Sequence, residues 1–167
     1  MARTLVLGLG NPLMGDDGVG VAAVARLREE FDLPEGVCLT DGGTWGMNLL
    51  PLIEAADELV LVDAIRIGAA PGAPVRVERD ALPRYFAHKI SPHQIDLREV
   101  LALAEWRGTL PRSVVALGVE PERVEMITAL SAAVDRAMDG LVERVTTRLE
   151  AMGHRCRRRE ALPACTS

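Results

Sequence analysis

The segment that most constrains this chain is residues 58–63, ELVLVD. Its apolar residues follow one another without interruption, which is typical of a strand buried on both faces of a parallel sheet. A sheet of that kind has helices packed on both of its faces. The segment therefore predicts a domain in which strands alternate with helices along the chain.

The rest of the sequence shows this alternation. Strands are predicted over residues 4–9, 37–40, 58–63, 74–78 and 113–119. Helices are predicted over residues 19–31, 46–55, 92–106 and 128–152. We therefore expect one three-layer α/β domain with a mostly parallel sheet over residues 1–152. The four arginines among residues 155–159 predict a flexible, solvated tail over residues 153–167.

Two of these helices carry specific expectations. The helix over residues 46–55 contains Pro51, which is expected to divide it into two short pieces. Its side chains Met47, Leu50 and Leu52 are expected to face inward. The last helix has apolar residues at three- and four-residue spacing, which predicts one buried face. That face consists of Val134, Met138, Leu141, Val145 and Leu149.

Composition narrows the class of protein. The chain has 167 residues, 49% of them hydrophobic, which suffices for one domain with a real core. A net charge of −5 and an aromatic content of 3% argue against a nucleic-acid partner. Cys38, Cys156 and Cys165 are too widely spaced for a zinc motif and are expected to be reduced thiols. No apolar run suggests a membrane span or a signal peptide, so we expect a cytoplasmic protein.

A glycine-rich turn, GLGNPLMGDDGVG, follows the first predicted strand. A dinucleotide-binding fingerprint would need its third glycine at Leu13, and a P-loop would need a Gly-Lys-Ser/Thr sequence. Two acids, Asp16 and Asp17, stand where the next helix begins, and they would repel a pyrophosphate. The turn therefore predicts a cation ligand rather than a phosphate cradle.

Asp17, Asp41 and Asp63 lie at or just beyond the carboxyl ends of three successive predicted strands. Parallel strands bring these ends to one edge, where clustered carboxylates need a shared proton or a cation. Asp16 is expected to be a helix cap. A simpler alternative is an α/β domain in which all of these acids cap helices.

His93 follows a proline at the head of a predicted helix, and His88 is the competing loop histidine. Two carboxylates and one imidazole suit a borderline transition metal and leave coordination positions open. The residues therefore predict a metal site built from Asp17, Asp63 and His93.

Four motifs, in this order, resemble the hydrogenase maturation endopeptidases: GLGNPLMGDDGVG, DGGTWGMNLL, LVLVDAI and KISPHQ. The resemblance extends over residues 4–152. It implies a five-stranded twisted sheet flanked by helices. It also implies that Asp17, Asp63 and His93 engage nickel, with Asp41 near the cleavage site.

The function implied by this resemblance is proteolytic. Such an enzyme removes the C-terminal extension of a nickel–iron hydrogenase large-subunit precursor after nickel insertion, and the nickel is that of the precursor. The chain has no Ser-His-Asp or His-Glu-x-x-His signature, so no nucleophilic triad is expected. Asp41 either positions the substrate or acts as a base. We expect a monomer.

Two alternatives remain open at this stage. A non-catalytic nickel-binding chaperone of the large subunit would use the same three ligands. A peptidyl-tRNA hydrolase also begins with a strand and GLGNP. It would need a histidine where this chain has Asp16-Asp17-Gly18, and a basic face that a net charge of −5 opposes.

Overall fold

The computed structural model describes residues 2–83 and 92–160, without the side chains of residues 92–96. The strands are β1 (Thr4–Leu9), β2 (Phe31–Asp32), β3 (Val37–Gly43), β4 (Glu58–Ala64), β5 (Pro74–Glu78), β6 (Ser113–Val119) and β7 (Arg157–Arg158). The α-helices are α1 (Val19–Glu30), α2 (Leu50–Glu54), α3 (Pro92–Trp106) and α4 (Ala132–Ala151). Single 3₁₀ turns occupy Gly15–Gly18, Gly46–Leu49 and Arg79–Ala81.

Five strands form the central sheet in the order β3-β1-β4-β6-β5. Every pairing is parallel except that of β5 with β6, which is antiparallel. The interior strand β1 is buried at all six positions, and the central strand β4 is buried from Leu59 to Ala64. Both strands are therefore covered on both faces, as their uninterrupted apolar sequences predict. The prediction of a mostly parallel, five-stranded α/β sheet flanked by helices is confirmed.

Helices cover the two faces of the sheet in separate layers. On one face, α1 and α4 pack against the even-numbered core residues Val6, Val60 and Val62. On the other, α2 and α3 pack against their odd-numbered neighbours, including Leu7 and Leu61. The predicted inner face of α4, from Val134 to Leu149, is buried as expected. At about 1.5–3 kcal/mol for each fully buried aliphatic side chain, that face is what holds α4 on the sheet.

The expectation for residues 46–55 is only partly correct. The segment is divided as predicted, into the 3₁₀ turn Gly46–Leu49 and the helix α2. Leu50 is partly buried against the core, as expected. The fully buried residues, however, are Leu49 and Ile53, whereas Met47 and Leu52 are 48% and 36% exposed. A 3₁₀ turn has three residues per turn instead of 3.6, so the inward face shifts along the sequence.

The start of the last helix is also corrected, because α4 begins at Ala132 and not at Thr128. Its N-cap is Ser131, whose hydroxyl accepts a hydrogen bond from the Val134 N–H. Residues 121–130 form a loop, and all but the first and last of them are exposed.

The expectation of a free tail is wrong for residues 154–160. Strand β7 pairs antiparallel with β2, and His154 is 2% exposed. Arg158 contacts Glu30 at 2.9 Å, and Arg159 contacts Asp32 at 2.8 Å. The arginines are thus paired with acids at the end of α1.

Residues 161–167 lie outside the described part of the chain. Within the described part, no helix combines the length and hydropathy needed to cross a bilayer.

Candidate active site at the carboxyl edge of the sheet

Strand register brings the predicted acids to one edge of the sheet. Gly8 of β1 is paired with Asp41 of β3 on one side and with Val62 of β4 on the other. Asp41 is therefore level with Gly8, and Asp63 lies one residue further toward the carboxyl edge. Open α/β sheets bind ligands at this edge.

Gly20 allows α1 to pack directly on this edge. A methyl group at Gly20 would overlap the carbonyl oxygen of Val62 and would lie 2.6 Å from that of Leu9. Any side chain here would push α1 away from the ends of β1 and β4. The missing side chain therefore keeps the turn Gly15–Gly18, which carries Asp17, close to the sheet.

Asp17 is held by the turn that precedes it. Asp17 is only 4% exposed, and its Oδ2 accepts a hydrogen bond from the Asn11 N–H at 2.9 Å. Gly10 has φ of +112°, and a methyl group there would overlap the Asp17 carbonyl oxygen. The Gly10 N–H in turn donates to the Gly43 carbonyl at 3.2 Å. The Asp17 turn is thus tied to the end of β3.

Asp63 reaches the same edge from the neighbouring strand. It is 1% exposed and is paired with Gly118 of β6. A side chain at Gly118 would overlap the Asp63 carbonyl oxygen, so this glycine makes room for the end of β4. Two carboxylates brought to one edge supply oxygen ligands of the kind that hard and borderline cations accept.

Asp41 differs from the other two acids because it is exposed. It lies on the outer strand β3, where the chain then turns through Gly42 and Gly43. The Trp45 N–H closes this turn on the Gly42 carbonyl at 2.9 Å. An exposed carboxylate on an outer strand is accessible to an incoming chain, while Asp17 and Asp63 lie below the surface.

His93 lies in the first turn of α3, and its side chain is outside the described residues, as is all of His88. Without the His93 side chain, the described residues contain no group of three or more His, Cys, Asp or Glu that could hold a metal ion. The structure thus brings Asp17 and Asp63 to one edge, and the assignment of His93 as third ligand stays a prediction.

Asp16 does not cap its own helix, contrary to expectation. It is fully buried, and it accepts hydrogen bonds from the backbone N–H groups of Glu122 (2.9 Å), Arg123 (3.0 Å) and Ser131 (2.7 Å). Burial alone raises the pKa of the Asp16 carboxyl, but hydrogen bonds from the 122–131 segment outweigh it and hold that pKa below its ordinary value. Asp16 is thus a structural anchor between this turn and the loop before α4.

Glu120 is a buried acid that the sequence analysis missed. It directly follows β6, is 3% exposed, and accepts hydrogen bonds from the N–H groups of Ile67 (2.7 Å) and Ala69 (3.2 Å). The sequence does contain a signal for Glu120, which is an acid at the carboxyl end of a predicted strand, as Asp63 is. Glu120 fixes the loop that follows β4 against the end of β6.

These features define an α/β domain with a carboxylate-rich site at the edge of a largely parallel sheet. Residues 21–148 match the hydrogenase maturation protease family. The chain is 37% identical over 161 residues to the hydrogenase 2 maturation protease of Escherichia coli K12, covering 96% of this chain and 98% of that protein. It is 43% identical over 122 residues to the hydrogenase expression/formation protein HoxM of Azotobacter vinelandii, covering 72% and 59%.

Solved structures agree with these sequence relationships. The hydrogenase maturating endopeptidase HybD from E. coli superposes with a TM-score of 0.90 at 36% identity, over 94% of this chain and 98% of that one. HybD from Thermococcus kodakarensis gives a TM-score of 0.72 at 26% identity, over 87% and 98%. This chain belongs to the hydrogenase maturation protease family. Its match spans less than two thirds of the A. vinelandii relative, at 59% of that protein's length.

Proposed function

We propose that this protein is an endopeptidase that removes the C-terminal extension of a nickel–iron hydrogenase large-subunit precursor once nickel has been inserted. The observation that carries this proposal is the burial of Asp17 and Asp63 at the carboxyl edge of neighbouring strands, in a chain of this family.

The proposed role of these acids is to engage the nickel of the precursor together with His93. Two carboxylates and an imidazole provide an O, O, N set and leave positions for groups of the substrate. Nickel held by these residues would report that the precursor is complete. The chemistry it would supply there is polarisation of the scissile carbonyl or a lowered pKa of an attacking water.

Asp41 supports the chemistry from outside the buried pair. Its exposure on the outer strand β3 suits a carboxylate that positions the incoming chain or accepts a proton from the attacking water. The proposal includes a monomeric enzyme that acts in the cytoplasm.

The test is incubation of the purified protein with nickel-loaded precursor, followed by mass spectrometry of the large subunit. A shortened large subunit is expected. A stable complex with no cleavage would instead identify a nickel-binding chaperone. Asp63→Asn should abolish cleavage, whereas Asp135→Asn, at an exposed acid of α4, should leave the rate unchanged.

A further inference from the structure

Large apolar side chains are exposed on the loops that follow the parallel strands. We call this set the apolar rim: Leu13 after β1 (60% exposed), Trp45 and Met47 after β3 (57% and 48%), Ile67 after β4 (61%) and Met126 after β6 (89%). These loops lie at the same edge of the sheet as Asp17 and Asp63. Exposed apolar side chains gathered around a polar site mark an interaction surface.

The loop that carries Met126 is anchored on both sides of that residue. Asp16 accepts hydrogen bonds from the N–H groups of Arg123 and Ser131. The Gly15 N–H donates to the Ile127 carbonyl at 2.6 Å, directly after Met126. A fixed backbone with an adaptable methionine at its tip loses little entropy when a partner binds.

Leu13 connects the apolar rim to the candidate active site. Leu13 lies on the turn between Asn11, which donates to Asp17, and Asp17 itself. The Leu13 N–H is fixed by the Asn11 side chain at 3.0 Å. A chain whose cleavage point lies over the acids would therefore pass next to Leu13.

We propose that the apolar rim is the docking surface for the large-subunit precursor and binds apolar surface beside the cleavage point. This inference rests on the proposed function. The rim lies on the loops of the edge that carries Asp17 and Asp63, so a second copy of this chain seated there would cover that edge. A folded precursor, by contrast, would cover the rim and present its extension to the acids in one binding event.

The test compares Leu13→Glu, Met126→Glu and the double variant with Trp106→Glu. Trp106 is a matched control because it is 84% exposed at the end of α3. Trp106 lies far from the carboxyl edge, because α3 ends near the opposite edge of the sheet. The Arg112 N–H, a few residues after Trp106, donates to the carbonyl of Asp57, just before β4 begins. The dissociation constant for purified precursor is measured by biolayer interferometry, together with KM and kcat for removal of the extension.

Each rim variant is expected to raise the dissociation constant and KM about tenfold, with kcat within about twofold of wild type. Trp106→Glu should change neither. A double variant that binds the precursor like wild type would overturn the proposal. The proposal would also be overturned if light scattering showed that wild type is a dimer and the double variant a monomer. The rim would then bind a second copy of this chain and not the precursor.

The outcomes separate this inference from the proposed function. If wild type binds the precursor without cutting it and the rim variants bind more weakly, the docking surface stands and the peptidase function fails. If wild type neither binds nor cuts the precursor, both fail. If wild type cuts and the rim variants are unaffected, only the docking surface fails.

Discussion

Ser131 donates its backbone N–H to Asp16 at 2.7 Å, although the two residues are 115 positions apart in the chain. This bond joins the turn that carries Asp17 to the residue that caps α4. Because Asp16 also accepts two N–H groups from the same loop, one carboxylate fixes the relative positions of two segments at the candidate site.

Asp16→Asn is expected to destabilise the fold by about 2–4 kcal/mol, because the amide group turns a donor toward buried N–H groups that need an acceptor. Chemical denaturation monitored by circular dichroism measures this change. Asp135→Asn, at an exposed acid in the first turn of α4, should cost less than about 0.5 kcal/mol. Equal losses in the two variants would mean that Asp16 is not an anchor.

The contribution of Asp16 should depend on pH in one direction. Its folded pKa lies below the ordinary value of 3.8, so the ionised form is favoured by folding. The stabilisation is therefore complete above that value and is lost as the pH falls through the folded pKa. The difference in Tm between wild type and Asp16→Asn should be constant from about pH 7 to pH 5 and shrink below about pH 4. A difference that grew on acidification would contradict this assignment.

His93→Ala should abolish processing of nickel-loaded precursor while leaving the Tm within a few degrees of wild type, since the imidazole is proposed as a ligand. The matched control is His88→Ala, because His88 is the competing loop histidine and should be dispensable. The measurement is the rate at which the large subunit is shortened. If His93→Ala shortened the large subunit at the wild-type rate, or if only His88→Ala failed to shorten it, the assignment of His93 as a nickel ligand would be wrong.

His154 should contribute to stability although it lies in the segment expected to be free. It is 2% exposed and shares a 2.8 Å hydrogen bond with Thr4 Oγ1. His154→Ala is expected to cost about 2–3 kcal/mol through a lost hydrogen bond and a cavity. Thermal unfolding measures this, with the exposed Arg155→Ala as control. An unchanged Tm for both variants would place the segment outside the cooperative fold.

Cys156 should resist alkylation at pH 8. Burial, the larger effect, and the nearby charge of Glu150 raise the pKa of its thiol to about 11, so about one molecule in a thousand carries the reactive thiolate. Cys38 is exposed and should be modified by iodoacetamide before Cys156. Peptide mapping of partly modified protein distinguishes the two sites. In guanidinium chloride both should react at similar rates, and similar rates without denaturant would contradict the burial of Cys156.

The strands could be predicted because their information is local. Uninterrupted apolar runs marked β1 and β6 at their exact bounds, and β4 to within one residue. The placement of Asp63 at the carboxyl edge followed from the same runs. Burial on both faces requires a long apolar segment, so such strands are visible in the sequence alone.

What the sequence analysis missed depends on contacts between distant segments. The start of α4 is set by Ser131 and its bond to Asp16, and no local pattern contains that bond. Residues 157–158 are ordered because they pair with Phe31–Asp32, about 125 positions earlier. Glu120 is different, because it directly follows β6 and its position is therefore a local feature of the sequence.

The outer strand β3 has one consequence for the behaviour of the protein at high concentration. Its Leu39 carbonyl accepts a hydrogen bond from the Arg28 guanidinium at 3.1 Å. A strand from another molecule would have to displace that charged group before it could extend the sheet. Arg28 thus opposes edge-to-edge aggregation on this side of the molecule.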